Sequence, residues 1–283
     1  MFHSSNDLKF RAVLFAITWI TSLLVALIIG FVAWEAWPAI ALGPLKFISD
    51  PAWDPSLQDY YLVPMVLGSA SITIGAIILA LPIGIASALL FEYLAPSWIA
   101  KPLRAIIEIL SGIPSVIYGF WGLIAIVPLL YKLSPPGANV LAGIIVLGIM
   151  ILPTLSIFVA NGIQSITKEQ IQSCKSLGLS KTTTITQVIM PSIRQHILNG
   201  TIISLGRAVG ETMAVLMVCG NIVKIPQSIF DPVRTLTSNI ALEMAYALDA
   251  HRSALFLSGF ILLLIIVSLA LLGHSKALGK NYE

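Results

Sequence analysis

The chain has 283 residues, of which 57% are hydrophobic and only 10% charged, against roughly 25% charged in an ordinary soluble domain. That balance excludes a soluble enzyme or binding module of usual composition and points to a membrane protein. The net charge of +3 does not indicate a nucleic-acid binder: the sixteen Lys and Arg form no dense basic run, and along a membrane chain such residues mark topology.

Six apolar runs approach the roughly 20 residues that a bilayer requires of a helix. The first, Ala12–Trp34, follows Lys9 and Arg11 in the manner of a signal peptide and is trailed by small residues at Ala39 and Ala41. Its apolar core exceeds the about 7–15 residues of a signal peptide, so an uncleaved anchor is predicted. A loop containing the stretch WDPS, Trp53–Ser56, leads to the second run, Met65–Leu94, and then to a third, Ile106–Leu130. The short turn YKLSPPGAN joins it to the fourth, Val140–Gly162. A long polar segment, 163–199, precedes the fifth run, Gly200–Cys219, and the sixth, Ala254–Leu272, ends the pattern. Pro82 and Pro153 read as kinks within their spans. Residues 1–64 are accordingly read as an anchor helix with an external loop, and 65–283 as a helical core.

Placing the N-terminus inside puts ten Lys and Arg on the cytoplasmic side, among them Lys9, Lys101, Arg104, Lys168, Lys276 and Lys280, and five outside. Both termini are therefore expected to be cytoplasmic. Cys174 then falls in a cytoplasmic loop and Cys219 in or near a membrane helix, which separates them too far for a disulfide.

The 163–199 loop carries Thr167 and Gln170 in a capping-box arrangement, then QSCKSLGLSKTTTITQVIMPSI, with Gly178 and Pro191 thirteen residues apart. A helix, a glycine stop and a second helix ended by the proline are predicted, making a protruding elbow. An amphipathic helix on the membrane surface is the competing reading, although the polar face is not strongly basic. His196, in the same loop, has no second metal ligand at helical spacing and reads as a solvated histidine.

This elbow resembles the cytoplasmic signature of the membrane subunits of ATP-binding-cassette importers, with Gln172, Ser173 and Cys174 in place of its Glu-Ala-Ala, followed by Gly178, Ile189 and Pro191. The stretch SLGRAVGETMAVLMVCGN, Ser204–Asn221, resembles the fifth-helix signature of phosphate-importer permeases, of the PstC type rather than the PstA type. LSGIPSVIYGFWGL, Leu110–Leu123, and WDPS are similar to further motifs of that family. The resemblance implies an all-α polytopic protein, the type I importer transmembrane domain with six spanning helices, in a bacterial inner membrane. It implies a PstA-type permease as partner, two PstB-type ATPase subunits carrying the ATP and magnesium, and an external PstS-type phosphate-binding protein. The chain itself would hold no cofactor.

Arg207 and Glu211 stand four residues apart in an apolar span, on one helix face and able to pair. An unpaired charge there costs roughly 2.5–3.5 kcal/mol on insertion scales, so both must face protein or water. Two roles remain open: a structural ion pair, with Gly206 and Gly210 permitting close helix approach, or a phosphate pathway in which Arg207 neutralises the anion and Glu211 competes with it so that release stays possible. Thr212 adds a hydroxyl about 100° around the helix. In the third span Gly112 and Pro114 weaken the backbone ladder, and Ser115 and Tyr118 supply polar groups beside the break. A packed kink and a pathway wall are both compatible with that pattern.

Phosphate-loop, His-Glu-x-x-His and Gly-x-Ser-x-Gly motifs are missing, so neither ATP hydrolysis by this chain nor intramembrane catalysis is expected. Import of another oxyanion such as sulfate, molybdate or phosphonate, and a phosphate-sensing scaffold, stand as alternatives.

Overall fold

Apolar runs form the helices, and prolines and glycines decide where those helices break. The computed structural model describes residues 5–41, 43 and 45–278. Helix α1 spans Ser5–Ala41, α2 Val63–Leu94 including a closing π-turn, α3 Ser97–Ser111, α4 Ser115–Tyr131, and α5 Val140–Gln164. Then follow α6, Lys168–Ser176, a helical stretch over 181–192, α7, and α8, Arg194–Val209. Short helices α9, Met213–Val218, and α10, Leu236–Glu243, lead to the last, α11, Asp249–Leu278. Lys9, Lys168, Lys276 and Lys280, counted in the topology, have side chains outside the described residues.

Among the described residues, four unbroken helices are long and apolar enough to span a membrane: α1, α2, α5 and α11. The predicted third and fifth spans are each two helices. The third divides into α3 and α4, which meet at 99°. Pro114 cannot donate an N–H, and it biases Ile113 away from helical geometry. The fifth divides at Gly210–Thr212 into α8 and α9.

The core is the face between α2 and α5, the most extensive helix contact in the chain. Gly75 and Gly148 make that approach possible: a Cβ on the first would stand 2.4 Å from Cδ1 of Ile144, and on the second 2.7 Å from Cδ2 of Leu79. Met150, Ile151 and Leu155 of α5 are completely enclosed. By contrast α1 packs chiefly on α11 among the described residues. Glu35 there pairs with Arg252 at 3.2 Å and Phe31 meets Phe256 edge to face.

On the external side, β1 (Trp53–Asp54) and β2 (Asp59–Tyr60) form a small hairpin. The Asp54 carboxylate shapes its turn by accepting the Ser56 N–H at 3.0 Å, a conformation suited to the Trp-Asp-Pro-Ser stretch. Trp53 donates its indole N–H to Glu243 Oε2 at 2.8 Å, and His251 Nε2 reaches the same oxygen at 2.9 Å. Arg234 pairs with the other carboxylate oxygen and also donates to the Asn221 carbonyl at 3.0 Å. Glu243 is thus a buried carboxylate whose lone pairs are filled from three segments. Removing one side of a buried pair leaves an uncompensated charge. We expect Glu243→Ala to lower stability by about 3–5 kcal/mol and Glu243→Gln by less, read as thermal midpoints of the purified protein. Equal midpoints for wild type and Glu243→Ala would refute this locking role.

Candidate functional site

Helix α8 brings Arg207 to its last turn, where Nη1 donates to Thr154 Oγ1 of α5 at 3.2 Å. The ion pair expected between Arg207 and Glu211 is not formed among the described residues. The physical reason is local: the chain leaves helical geometry at Gly210, so the one-turn spacing that would have aligned the two side chains is lost. Glu211 instead accepts the N–H of Ala214 through Oε1 at 3.1 Å, and its backbone carbonyl accepts the Thr237 hydroxyl at 2.8 Å. Its carboxylate therefore satisfies an open N–H at the start of α9, where negative charge is also favoured by the helix dipole. Thr212 occupies the cap position of α9, but its hydroxyl turns back to the Gly210 carbonyl at 3.3 Å. Arg207, Glu211 and Thr212 are all partly buried.

The glycine pair does not draw helices together within this chain. A Cβ on Gly206 would find nothing within 4 Å, and Gly206 borders an open groove of about 500 Å3 with Phe158, Ile202, Ile266 and Gly273.

At the other break, the Tyr118 hydroxyl donates to the Leu110 carbonyl at 2.7 Å, tying α4 back to the end of α3. Tyr118 is buried, and this bond engages the polar group that the sequence offered as a pathway wall. Ser115 opens α4 and is partly buried. The two breaks are neighbours, because a Cβ on Gly119 of α4 would stand 2.8 Å from Cα of Ala214 in α9. Ser115, Tyr118, Glu211 and Arg207 thus belong to elements that the packing joins through Gly119, Ala214 and α5.

The elbow is built as its residues suggest at the front and differently at the rear. Thr167 Oγ1 accepts the Gln170 N–H at 3.3 Å while Gln170 Oε1 accepts the Thr167 N–H at 3.1 Å, a complete capping box. Helix α6 stops at Gly178, whose φ of +71° suits glycine. Leu179 N–H returns to the Cys174 carbonyl at 3.1 Å and Gly178 N–H to Lys175 at 3.0 Å, the Schellman pattern. Gln172 and Ser173 face outward, Cys174 is buried, and Leu177 at the tip is 77% exposed. Ile189 is fully enclosed.

Pro191, expected to end the second helix, does not. The segment passes through a π-turn at Ile185–Ile189, Ile193 N–H still bonds the Ile189 carbonyl at 3.0 Å, and α8 follows after that single turn residue. His196 is likewise not a solvated loop residue. It sits in α8 against Gly162, where a Cβ would lie 2.8 Å from its ring, and its Nδ1 is buried without a partner.

Two participants escaped the sequence reading. Thr154 lies in an apolar run with no neighbouring polar pattern, and only the α5–α8 packing shows that it meets Arg207. Leu177 had a readable signal, a large apolar residue beside a helix-ending glycine at a polar tip.

The chain matches the family model for the binding-protein-dependent transport system inner membrane component over residues 80–275. The probable ABC transporter permease protein YqgH of Bacillus subtilis is 34% identical, covering 86% of this chain and 81% of its own. The phosphate transport system permease protein PstC of Xylella fastidiosa is 30% identical, covering 87% and 85%, and that of Pasteurella multocida is 30% identical, covering 93% and 89%. In fold, the chain is similar to an inward-facing structure of the MetNI methionine ABC transporter, with TM-score 0.64 and 16% identity over 79% of this chain and 96% of that one. An ABC transporter that imports the polysaccharide alginate gives TM-score 0.61 at 14% identity, covering 97% and 98%.

The cap made by Glu211 separates its oxygen from its charge. Glu211→Gln retains an acceptor for the Ala214 N–H and is expected to keep the thermal midpoint of the protein near wild type. Glu211→Ala leaves that donor open at a cost of about 1 kcal/mol. Should both variants melt together, the cap is not what holds α9.

Proposed function

The chain belongs to the family of binding-protein-dependent transport system inner membrane components, a permease subunit of an ABC importer, and from that premise we propose that it is the PstC-type subunit of an ATP-driven inorganic phosphate importer. It forms half of the translocation pathway beside a PstA-type permease. Two PstB-type ATPase subunits hold the ATP and magnesium, and a PstS-type protein delivers phosphate from outside. The relatives named PstC support the substrate.

The observation that carries this reading is Arg207. Its guanidinium is held by the neutral Thr154 hydroxyl and not by Glu211, so its positive charge stays uncompensated by the nearby carboxylate. A planar fork of donors suits phosphate oxygens. Glu211, one helix break away, sets a counter-field that keeps the anion from being trapped. Thr212, Ser115 and Tyr118 border the same region and line the route. At the cytoplasmic end, the exposed faces of Gln172 and Ser173, with Leu177 beyond the signature, dock on the ATPase, while Cys174, Ile189, Pro191 and the Gly178 stop keep the elbow's shape. ATP-driven closure of the motor then shifts the balance between outward- and inward-open states through differential binding.

In vesicles carrying the full complex, labelled phosphate uptake should ignore excess sulfate and should fall at least tenfold in Arg207→Gln with assembly intact. Wild-type uptake in that variant would sink the pathway role, and competition by sulfate would sink the substrate. A second outcome concerns the elbow: Gly178→Leu, strained at its positive φ, is expected to leave ATP hydrolysis running while uptake drops severalfold. An unchanged ratio of phosphate moved to ATP consumed would remove the elbow from coupling.

A further inference from the structure

The sequence placed Ile106 to Leu130 across the membrane as one span, and the 99° bend at Gly112–Pro114 removes α3 from that path. With α4 crossing the bilayer, a helix at right angles to it lies in the membrane plane. Its level is set by α2, which ends at Leu94, only two residues before α3 begins. By the topology derived from the basic residues, that level is the cytoplasmic interface.

The exposure of α3 follows this placement. Ile107 is buried toward the bundle, where α3 packs on α5 and the end of α2. A separate arc, Trp98, Pro102, Ile106 and Ile109, recurs at helical spacing and faces outward, with Trp98 75%, Ile106 53% and Ile109 68% exposed. Beside that arc runs a polar flank of Lys101, Arg104 and Glu108. Arg104 is consumed within the protein: its Nη1 reaches Glu92 Oε1 and its Nε reaches Glu108 Oε1, both at 2.9 Å. Arg104 therefore bridges both carboxylates facing this helix, one positive charge between two negative ones. Lys101, exposed, makes no ion pair among the described residues.

We propose that α3 is an in-plane interfacial helix whose Trp98–Ile109 stripe sits in the acyl boundary of the cytoplasmic leaflet and whose Lys101 binds an anionic phospholipid headgroup. Each feature has a role there. Tryptophan favours the interface because its ring is amphipathic, an outward apolar stripe beside a polar flank is the pattern of helices lying on membranes, and an ammonium on a flexible stem snorkels to headgroup phosphates. The occupant is lipid and not another protein chain because the stripe lies parallel to the bilayer at its boundary, and because the Lys101 ammonium beside it, with no ion pair among the described residues, stands at the level of the headgroup phosphates. Arg104 fixes the helix in this pose through Glu92, which also accepts from Gln164 Nε2 at 2.9 Å near the end of α5.

The test uses the assembled complex in nanodiscs and reads binding, so it stands apart from whether phosphate is the cargo. Bromine-labelled phosphatidylcholine should quench wild-type tryptophan fluorescence more than that of Trp98→Phe, the difference reporting Trp98 in contact with acyl chains. In parallel, phosphatidylglycerol is titrated into the detergent-purified complex while the thermal midpoint is followed. Lys101→Gln should raise the half-maximal lipid concentration about fivefold, the equivalent of ~1 kcal/mol per basic residue near an anionic surface, and Lys101→Arg should restore it. Equal quenching in wild type and Trp98→Phe would overturn the placement and assign the stripe to a protein neighbour. An unchanged titration in Lys101→Gln would overturn the headgroup contact.

Discussion

Inside a bilayer no water stands ready to satisfy a peptide group, so every interruption of a helix must be answered by the protein itself. The two interrupted segments of this chain obey that constraint by different means. At Gly112–Pro114 the Tyr118 hydroxyl reaches back to the Leu110 carbonyl. At Gly210–Thr212 the Glu211 carboxylate answers an N–H of α9, and Thr237 answers the Glu211 carbonyl. Two of the side chains that looked like transport chemistry in the sequence, Tyr118 and Glu211, thus have structural duties as well. The close approach of α4 and α9 at Gly119 and Ala214 brings the two repairs into one neighbourhood, where irregular backbone and an ionisable side chain coincide. That coincidence marks functional places in membrane proteins.

Much of this was legible beforehand because its causes are local. Long apolar runs need only their own backbone bonds to become helices, so α1, α2, α5 and α11 could be read directly from composition. The capping box of Thr167 and Gln170 and the glycine stop at Gly178 depend on a few adjacent residues and were equally readable. Errors began where the outcome depended on a choice between partners. Arg207 and Glu211 were adjacent on an ideal helix, but a break at Gly210 gave each a different neighbour, and nothing near Thr154 announces that it waits on another helix. The polar stretch around His196 does not reveal the extent of α8 that buries its Nδ1, and Pro191, following a π-turn, does not end the helix.

The external side is held by a different logic. Glu243 gathers Trp53, Arg234 and His251, which come from the hairpin, the segment before α10 and the start of α11. That single carboxylate works beside a small apolar cluster in which Phe47, Tyr60, Leu62 and Leu236 are buried. It connects sequence positions far apart, and the Trp-Asp-Pro-Ser stretch acquires its purpose only from that connection: Asp54 shapes the turn and the turn aims Trp53.

The π-turn and Pro191 have a mechanical consequence. From Lys181 to Val209 the backbone is helical except at Ile193, a contour of about 40 Å along the chain at 1.5 Å per residue. One end is the rear arm of the elbow and the other carries Arg207. Ile193, the one residue out of helical geometry, is itself completely buried. The rear arm of the elbow and Arg207 thus share one helical segment, and its single departure from helix, at Ile193, is the place where the two ends can turn relative to each other.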